Sequence, residues 1–406
     1  IQDLKDAIKD LPPYKSITGA DAGRVSAEAA EAFLSRVALY EGTWQKFREN
    51  EARAKELLGI AANAAENVIN GGAFSLFQPE KLGIYAYKYL FILENDKSNP
   101  ESITKSGNTE YIFSRRYDEI LNPIGFNISE GFLNKAVFMT RKMANMYLTA
   151  EGLPIDPTNA AMYATMTSEY ENRDNRMQNI MMIAGRPYWG NSKGRVSWKD
   201  DAEDLALALY QSFDPKSRSG YFFRKWATER KVASTKEGYD FPIIRYAEVL
   251  LNYAEALFEL NADIGGNITG DEKKIANGLA KLNLVRKRVN PEMSDLTIEF
   301  ARQKGLNLRT EIRRERTIEL FHEGFRMDDL KRWNTAVNEM NQNMLGVKWK
   351  GTEFEKVWID KTIITDAEGC IIMENGRQWA NRNYLYPLPT DQLKLNTNLK
   401  QNPGWE

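Results

Sequence analysis

The stretch RYAEVLLNYAEALFELN, Arg245–Asn261, decides the fold. Laid on a helical period, Tyr246, Leu250, Tyr253 and Leu257 form one apolar stripe, and Ala247, Leu251, Ala254 and Phe258 form a second beside it. Glu248, Asn252, Glu255 and Glu259 leave only a narrow polar stripe. A helix apolar on most of its circumference is sandwiched between neighbours, and small alanines on one stripe let a neighbour come close. Helices of that kind build antiparallel helical arrays.

Working outward, the break ADIGGNITGD is followed by EKKIANGLAKLNLVRKRVN, where Ile275, Leu279, Leu282 and Val285 repeat at helical spacing before Pro291. These two segments predict a helical hairpin. A second hairpin is expected near the start: SAEAAEAFLSRVALYEGTW, with Ser26 as N-cap, then EARAKELLGIAANAAENVINGG, closed by Gly71 and Gly72. Each pair is tetratricopeptide-like, but the pairs are too irregularly spaced for a clean repeat array.

Between the hairpins the character changes. Helical pieces such as LGIYAYKYLFILEN alternate with loops rich in Gly, Pro, Asn and Asp, and aromatic residues crowd Tyr188–Trp226. Past residue 305, NLRTEIRRERTIELFHEGFRMDDLKRWNT predicts a charged helix and a short second one. Its Glu311, Glu315, Arg313, Arg314 and Arg316 raise an anion site, but a lattice of ion pairs is the expected arrangement. The proline-rich end is expected to lie extended over the helical body.

Composition narrows the chemistry. The chain has 406 residues, 42% of them hydrophobic, enough for a sizeable core, and its net charge of -1 gives no general attraction to nucleic acid or anionic lipid. One histidine, His322, and one cysteine, Cys370, exclude His-rich or Cys-rich metal sites and an internal disulfide. His322, in ELFHEGFR, has no nucleophile elbow near it and reads as a packed or helix-end histidine. No catalytic residue, cofactor or metal is expected. Glu169, Glu171, Asp174 and Asp156 lack the regular spacing of a calcium loop and read as a solvated acidic loop. No apolar run approaches the roughly 18 residues of a membrane span.

Four stretches, in order, carry a resemblance: GRVSAEAAEAFLSRVALYEGTW, FPIIRYAEVLLNYAEALFELN with LNLVRKRVN, IRRERTIELFHEGFRMDDLKRWN, and YLYPLPTDQLKLNTNLKQNPGW. With ENRDNRM (171–177) between them, the chain resembles the SusD/RagB family of outer-membrane nutrient-binding lipoproteins from Bacteroidetes. The resemblance implies one mainly α-helical SusD-like domain over 1–406, with tetratricopeptide-like helix pairs against an irregular half. Its parts are a helical hairpin (1–75), a loop-rich, aromatic ligand-binding region (76–240), a helical scaffold (241–340) and a C-terminal extended cap (341–406). It also implies a non-catalytic protein on the cell-surface face of the outer membrane, which captures an oligosaccharide or polysaccharide for a SusC-like TonB-dependent transporter. Relative to the family, the chain looks like one without its front portion of secretion signal, lipid-bearing cysteine and further helices. The membrane would be reached only through that lipid anchor.

A sugar offers C–H groups on its face and hydroxyls at its edge, matching flat rings and amide, carboxylate or guanidinium groups. The family places its stacking rings in the loops before the Arg245–Asn261 stretch, which points to GRPYWGNSKGRVSWKDD. The expected ligand residues are Trp189, Trp198 and Tyr188, with Arg186, Asn191 and Arg195 as polar partners and Tyr163 as an outlying ring. Phe222 and Phe223 read as core. Competing readings are a peptide-binding relative, an intracellular tetratricopeptide-like adaptor and an all-helical glycoside hydrolase. The last would need a carboxylate pair that no spacing singles out.

Overall fold

The computed structural model describes residues 1–133, 137–189, 194–195, 219–357 and 362–406. The central helix, Tyr246–Leu260, is buried along almost its whole length. It packs against Glu51–Gly71 on one side and Glu272–Lys287 on another, with Ala27–Lys46 and Leu308–Glu319 completing its surroundings. Small residues set the spacing: a Cβ on Gly278 would stand 3.0 Å from the Ala254 Cα, so the two backbones meet with no side chain between them.

Local signals place the helix ends. The Ser26 hydroxyl accepts from the Ala29 amide, and the Asp271 carboxylate accepts from the Lys273 and Lys274 amides. Gly72, at φ 61°, closes Glu51–Gly71 in the left-handed conformation. The expected helix over LGIYAYKYLFILEN is shorter than its pattern. Gly83 turns to φ 50°, and only Ala86–Leu90 is α-helical.

Two large cores result. One lies within the helical array. The other fills the irregular half and contains Phe222 and Phe223 as expected. Three two-stranded antiparallel sheets are present among the described residues. Tyr111–Arg115 pairs with Phe241–Arg245, tying the irregular half to the start of the central helix. Met344–Lys348 pairs with Cys370–Glu374, and the chain beyond is not the wholly extended cap expected, because Asn381–Tyr384 forms a 3-10 turn and Thr390–Leu395 a short α-helix between extended pieces. Tyr384 then packs on Leu330 and Ala336, which lays the tail on the helical body. No helix among the described residues is long and apolar enough to cross a membrane.

The polar stripe of the central helix is buried, with none of its four residues more than 3% exposed. Each meets a cation from another segment. Glu248 pairs with Arg36 at 2.6 Å, Asn252 accepts from Arg316 at 2.8 Å, Glu255 pairs with Arg332 at 2.6 Å and Glu259 with Arg309 at 2.7 Å. The charged 308–319 helix forms the expected ion-pair lattice. It lies mostly inside the protein, because a helix surrounded by neighbours has no solvated face.

The 169–174 segment departs from the solvated loop expected. Asp156 and Glu171 are exposed, whereas Glu169 accepts from the Tyr221 hydroxyl at 2.8 Å and Asp174 pairs with Arg176 at 2.7 Å, both in the interior. Glu169 and Asp174 are thus held by internal donors. No acidic, histidine or cysteine cluster suited to a metal occurs among the described residues.

Burial alone would raise the Glu255 carboxyl. Arg332, then Arg316 and the Trp333 N–H, override it and bring it down to about 2 from the ordinary 4.5. The stabilisation is therefore complete above pH 4.5 and lost as pH falls towards 2. Glu255→Gln is expected to cost about 3 kcal/mol at pH 6 and to flatten part of the loss between pH 5 and 2. Urea unfolding of both proteins across that range checks this.

Candidate functional site

Residues 181–189 fold back on the irregular half's core. Met182 donates to the Phe222 carbonyl at 2.8 Å, and a turn through Gly185, at φ 79°, returns the Arg186 amide to the Ile183 carbonyl at 3.1 Å. The Tyr188 hydroxyl closes that turn. It donates to the Met181 carbonyl at 2.7 Å and accepts from the Ile183 amide at 2.8 Å. Burial raises the phenol to about 12, so this hydroxyl stays protonated.

Trp189 is 2% exposed. The Arg195 guanidinium lies 4.5 Å from its ring centroid, and its carbonyl accepts from Arg224. The expectation of an exposed stacking ring at Trp189 is thereby corrected. The Pro187–Gly190 flanks suit a turn, but the ring goes inward because an indole gains more from apolar burial and a cation over its face than from solvent. Its Nε1 has no acceptor among the described residues.

Arg195 is half-buried. Its amide donates to the Glu229 carbonyl at 2.7 Å, and its Nε stands 3.6 Å from the Glu229 carboxylate, which Lys88 also reaches at 2.6 Å. Arg186 is exposed and donates to Gln178 at 3.2 Å. Trp198 and Asn191 lie outside the described residues. Thus Tyr188, Trp189 and Arg195 form an inner wall, and Arg186 stands on its surface.

Tyr163 belongs to another neighbourhood. It is buried, its hydroxyl accepts from Arg141 at 2.7 Å, and the Lys348 ammonium lies 5.2 Å from its ring centroid. Arg141 and Lys348 line a cleft of about 360 Å³ together with Asn145, Gln342, Asp366 and Arg377 among others. The Asn145 Oδ1 is buried there without a donor among the described residues. Interleaved donors and acceptors suit a hydroxyl-rich ligand. Sequence reading missed this cleft, because its walls come from 140–158 and 339–377 and no contiguous motif marks them.

His322 stands just past the end of the Leu308–Glu319 helix, the second of its two expected placements, with one side exposed and its ring against neighbouring aromatics. Its Nδ1 accepts from the Trp226 indole at 3.1 Å, and its ring meets Phe223 at 4.8 Å. Burial, then the Lys225 charge, lowers it to about 4, which leaves a neutral imidazole at pH 7.

These placements separate two roles. Trp189→Ala is expected to lower stability by about 3–5 kcal/mol, as for a large buried aromatic. Arg186→Ala is expected to change it by less than about 0.5 kcal/mol. Denaturant unfolding of the two variants measures the difference.

A model of the SusD family matches residues 83–405. Among solved structures, a SusD-like carbohydrate-binding protein from Bacteroides fragilis is similar at 22% identity and a TM-score of 0.67, covering 98% of this chain and 69% of its own. A second SusD-like protein from the same species matches at 22% identity and a TM-score of 0.68, over 99% and 69%. A surface glycan-binding protein A from Bacteroides fluxus matches at 19% identity and a TM-score of 0.51, over 99% and 68%. No curated protein matches the chain. At these identities the structural likeness establishes the fold, and the match across residues 83–405 establishes the kinship: the chain belongs to the SusD family.

Proposed function

We propose that the chain is a non-catalytic binding protein at the outer-membrane surface that captures an oligosaccharide and passes it to a SusC-like TonB-dependent transporter. Membership of the SusD family across residues 83–405 carries this reading. The likeness to proteins described as carbohydrate-binding and surface glycan-binding supports it.

The proposed contacts come from the 186–198 stretch. Arg186 is its exposed donor, with Trp198 and Asn191 as further contacts. Tyr188, Trp189 and Arg195 act from beneath as the wall that holds the loop. Tyr163 supports the polar cleft, which is the second place for sugar hydroxyls. Stacking contacts of about 1 kcal/mol each, and hydrogen bonds netting about the same, work against the cost of association. Affinities of roughly micromolar to millimolar follow, in keeping with capture by a surface protein that hands its ligand on.

Native electrophoresis in gels containing different polysaccharides tests the proposal. The parent is expected to be retarded by at least one of them, and Arg186→Ala with Trp198→Ala is expected to weaken that by about tenfold or more. Retardation that survives in the double variant moves the site to the cleft, where Lys348→Ala and Arg377→Ala repeat the measurement. No retardation by any polysaccharide overturns the glycan reading and favours a peptide ligand.

A further inference from the structure

A cavity of about 260 Å³ opens between the Leu308–Glu319 and Arg326–Arg332 helices, next to the polar cleft, with which it shares Glu339. Three guanidinium groups line it, from Arg313, Arg314 and Arg326, with Thr335, Trp333 and the carboxylate of Glu339. Two of the arginines have acidic partners. Arg314 pairs with Glu311 at 3.1 Å, and Arg326 with Glu339 at 3.3 Å, a carboxylate that Lys142 also holds at 2.5 Å.

Arg313 has no ion pair among the described residues. Its guanidinium lies between Phe47 and Trp333, 4.8 and 4.6 Å from their ring centroids. Rings offset part of the cost of burying a cation, but they accept no hydrogen bond in the plane of the guanidinium. Its Nε and Nη2 are buried without an acceptor, and so is the Thr335 hydroxyl. Burial lowers this guanidinium to about 10, although Glu259 and Glu255 act against that from a distance. Their own partners, Arg309 and Arg332, take up most of that negative charge.

Arg313 is half-buried, and a cation partly withdrawn from water without an ion pair is costly, a cost that native proteins answer with a counter-ion or acceptor. Arginine forks match planar or tetrahedral oxygen groups. We propose that this cavity is an oxyanion site, taking a sulfate, phosphate or carboxylate group among Arg313, Arg314 and Arg326, with the Thr335 hydroxyl as a further donor. The occupant is either a free ion or an acidic substituent on a sugar. Glu339 does not bar it, because Arg326 and Lys142 already balance that carboxylate. The proposal does not depend on the glycan reading, since its donors, Arg313, Arg314, Arg326 and Thr335, belong neither to the 186–198 stretch nor to the polar cleft.

The test is the melting temperature of the whole chain, in chloride buffer at constant ionic strength, during titration with sodium sulfate, sodium glucuronate or neutral glucose. A saturable rise with sulfate or glucuronate, and none with glucose, is expected. Saturation by sulfate alone identifies a free ion, and saturation by glucuronate alone identifies an acidic sugar. R313M is expected to abolish the rise while melting no lower than the parent in chloride, because it removes a cation that lacks a partner. T335V removes one hydroxyl, is expected to weaken binding about fivefold, and repeats the test independently. No saturable rise with either anion, or an unchanged rise in both variants, overturns the proposal.

Discussion

The structure depends on the buried carboxylate of Glu319, where guanidinium groups from three separate segments meet. Arg245, at the end of the Phe241–Arg245 strand, pairs with it at 2.7 Å, Arg288, just past the Glu272–Lys287 helix, also pairs with it, and Arg176 from the irregular half reaches it at 3.0 Å. The cluster continues outward. Arg245 and Arg288 also pair with Glu110, and Arg176 pairs with Asp174 and Glu315. Burial would raise the Glu319 carboxyl, but Arg288, Arg245 and Arg176 override it and hold the group far below the ordinary carboxylate range. Such a cluster adds little net stability over a well-packed apolar core, yet breaking it strands buried charges at a cost of about 3–5 kcal/mol. Its value here is positional, since each partner has one place where its charge is answered.

That constraint fixes the relation between the two halves. Glu110, Asp174 and Arg176 come from the irregular half, and Arg288, Glu315 and Glu319 from the array. Between them, Arg245 directly precedes the central helix. The irregular half therefore hangs from the array by ionic contacts at several points along 110–176, and its loops are free to vary in composition between those points. A binding protein benefits from that division, because a stiff frame can present loops of different chemistry. Trp189 and Tyr188 belong to the stiff part. Their hydrogen bonds and cation contacts face inward.

Legibility differed between frame and site for physical reasons. The helical stripes on Arg245–Asn261, the Ser26 cap and the Gly72 stop were readable, because each depends on residues within one or two turns. Burial of the Glu248–Asn252–Glu255–Glu259 stripe was not, because polar spacing looks the same whether solvent or an arginine 50 to 212 residues away answers it. The same blindness turned Glu169 and Asp174 into a solvated loop and made Trp189 an exposed ring. In each the environment is decided by packing: Tyr221 reaches Glu169 from 52 residues away, and Arg176 and Arg195, though near Asp174 and Trp189 in the chain, are turned onto them by the fold. The cleft beside Tyr163 had no signature at all, since its walls are separated by almost 200 residues of chain.

By itself, then, the sequence determined what local periodicity and composition can encode: a mainly helical protein with paired helices, an irregular aromatic half, and family motifs in order. It also determined that His322 is the one histidine of the chain. Only the tertiary structure decided which charges are inside, which rings face a core, and where cavities open. Those outcomes are sums over partners far apart in the chain. The side chains at issue, Arg, Glu and Trp, are equally at home buried with a partner or exposed without one.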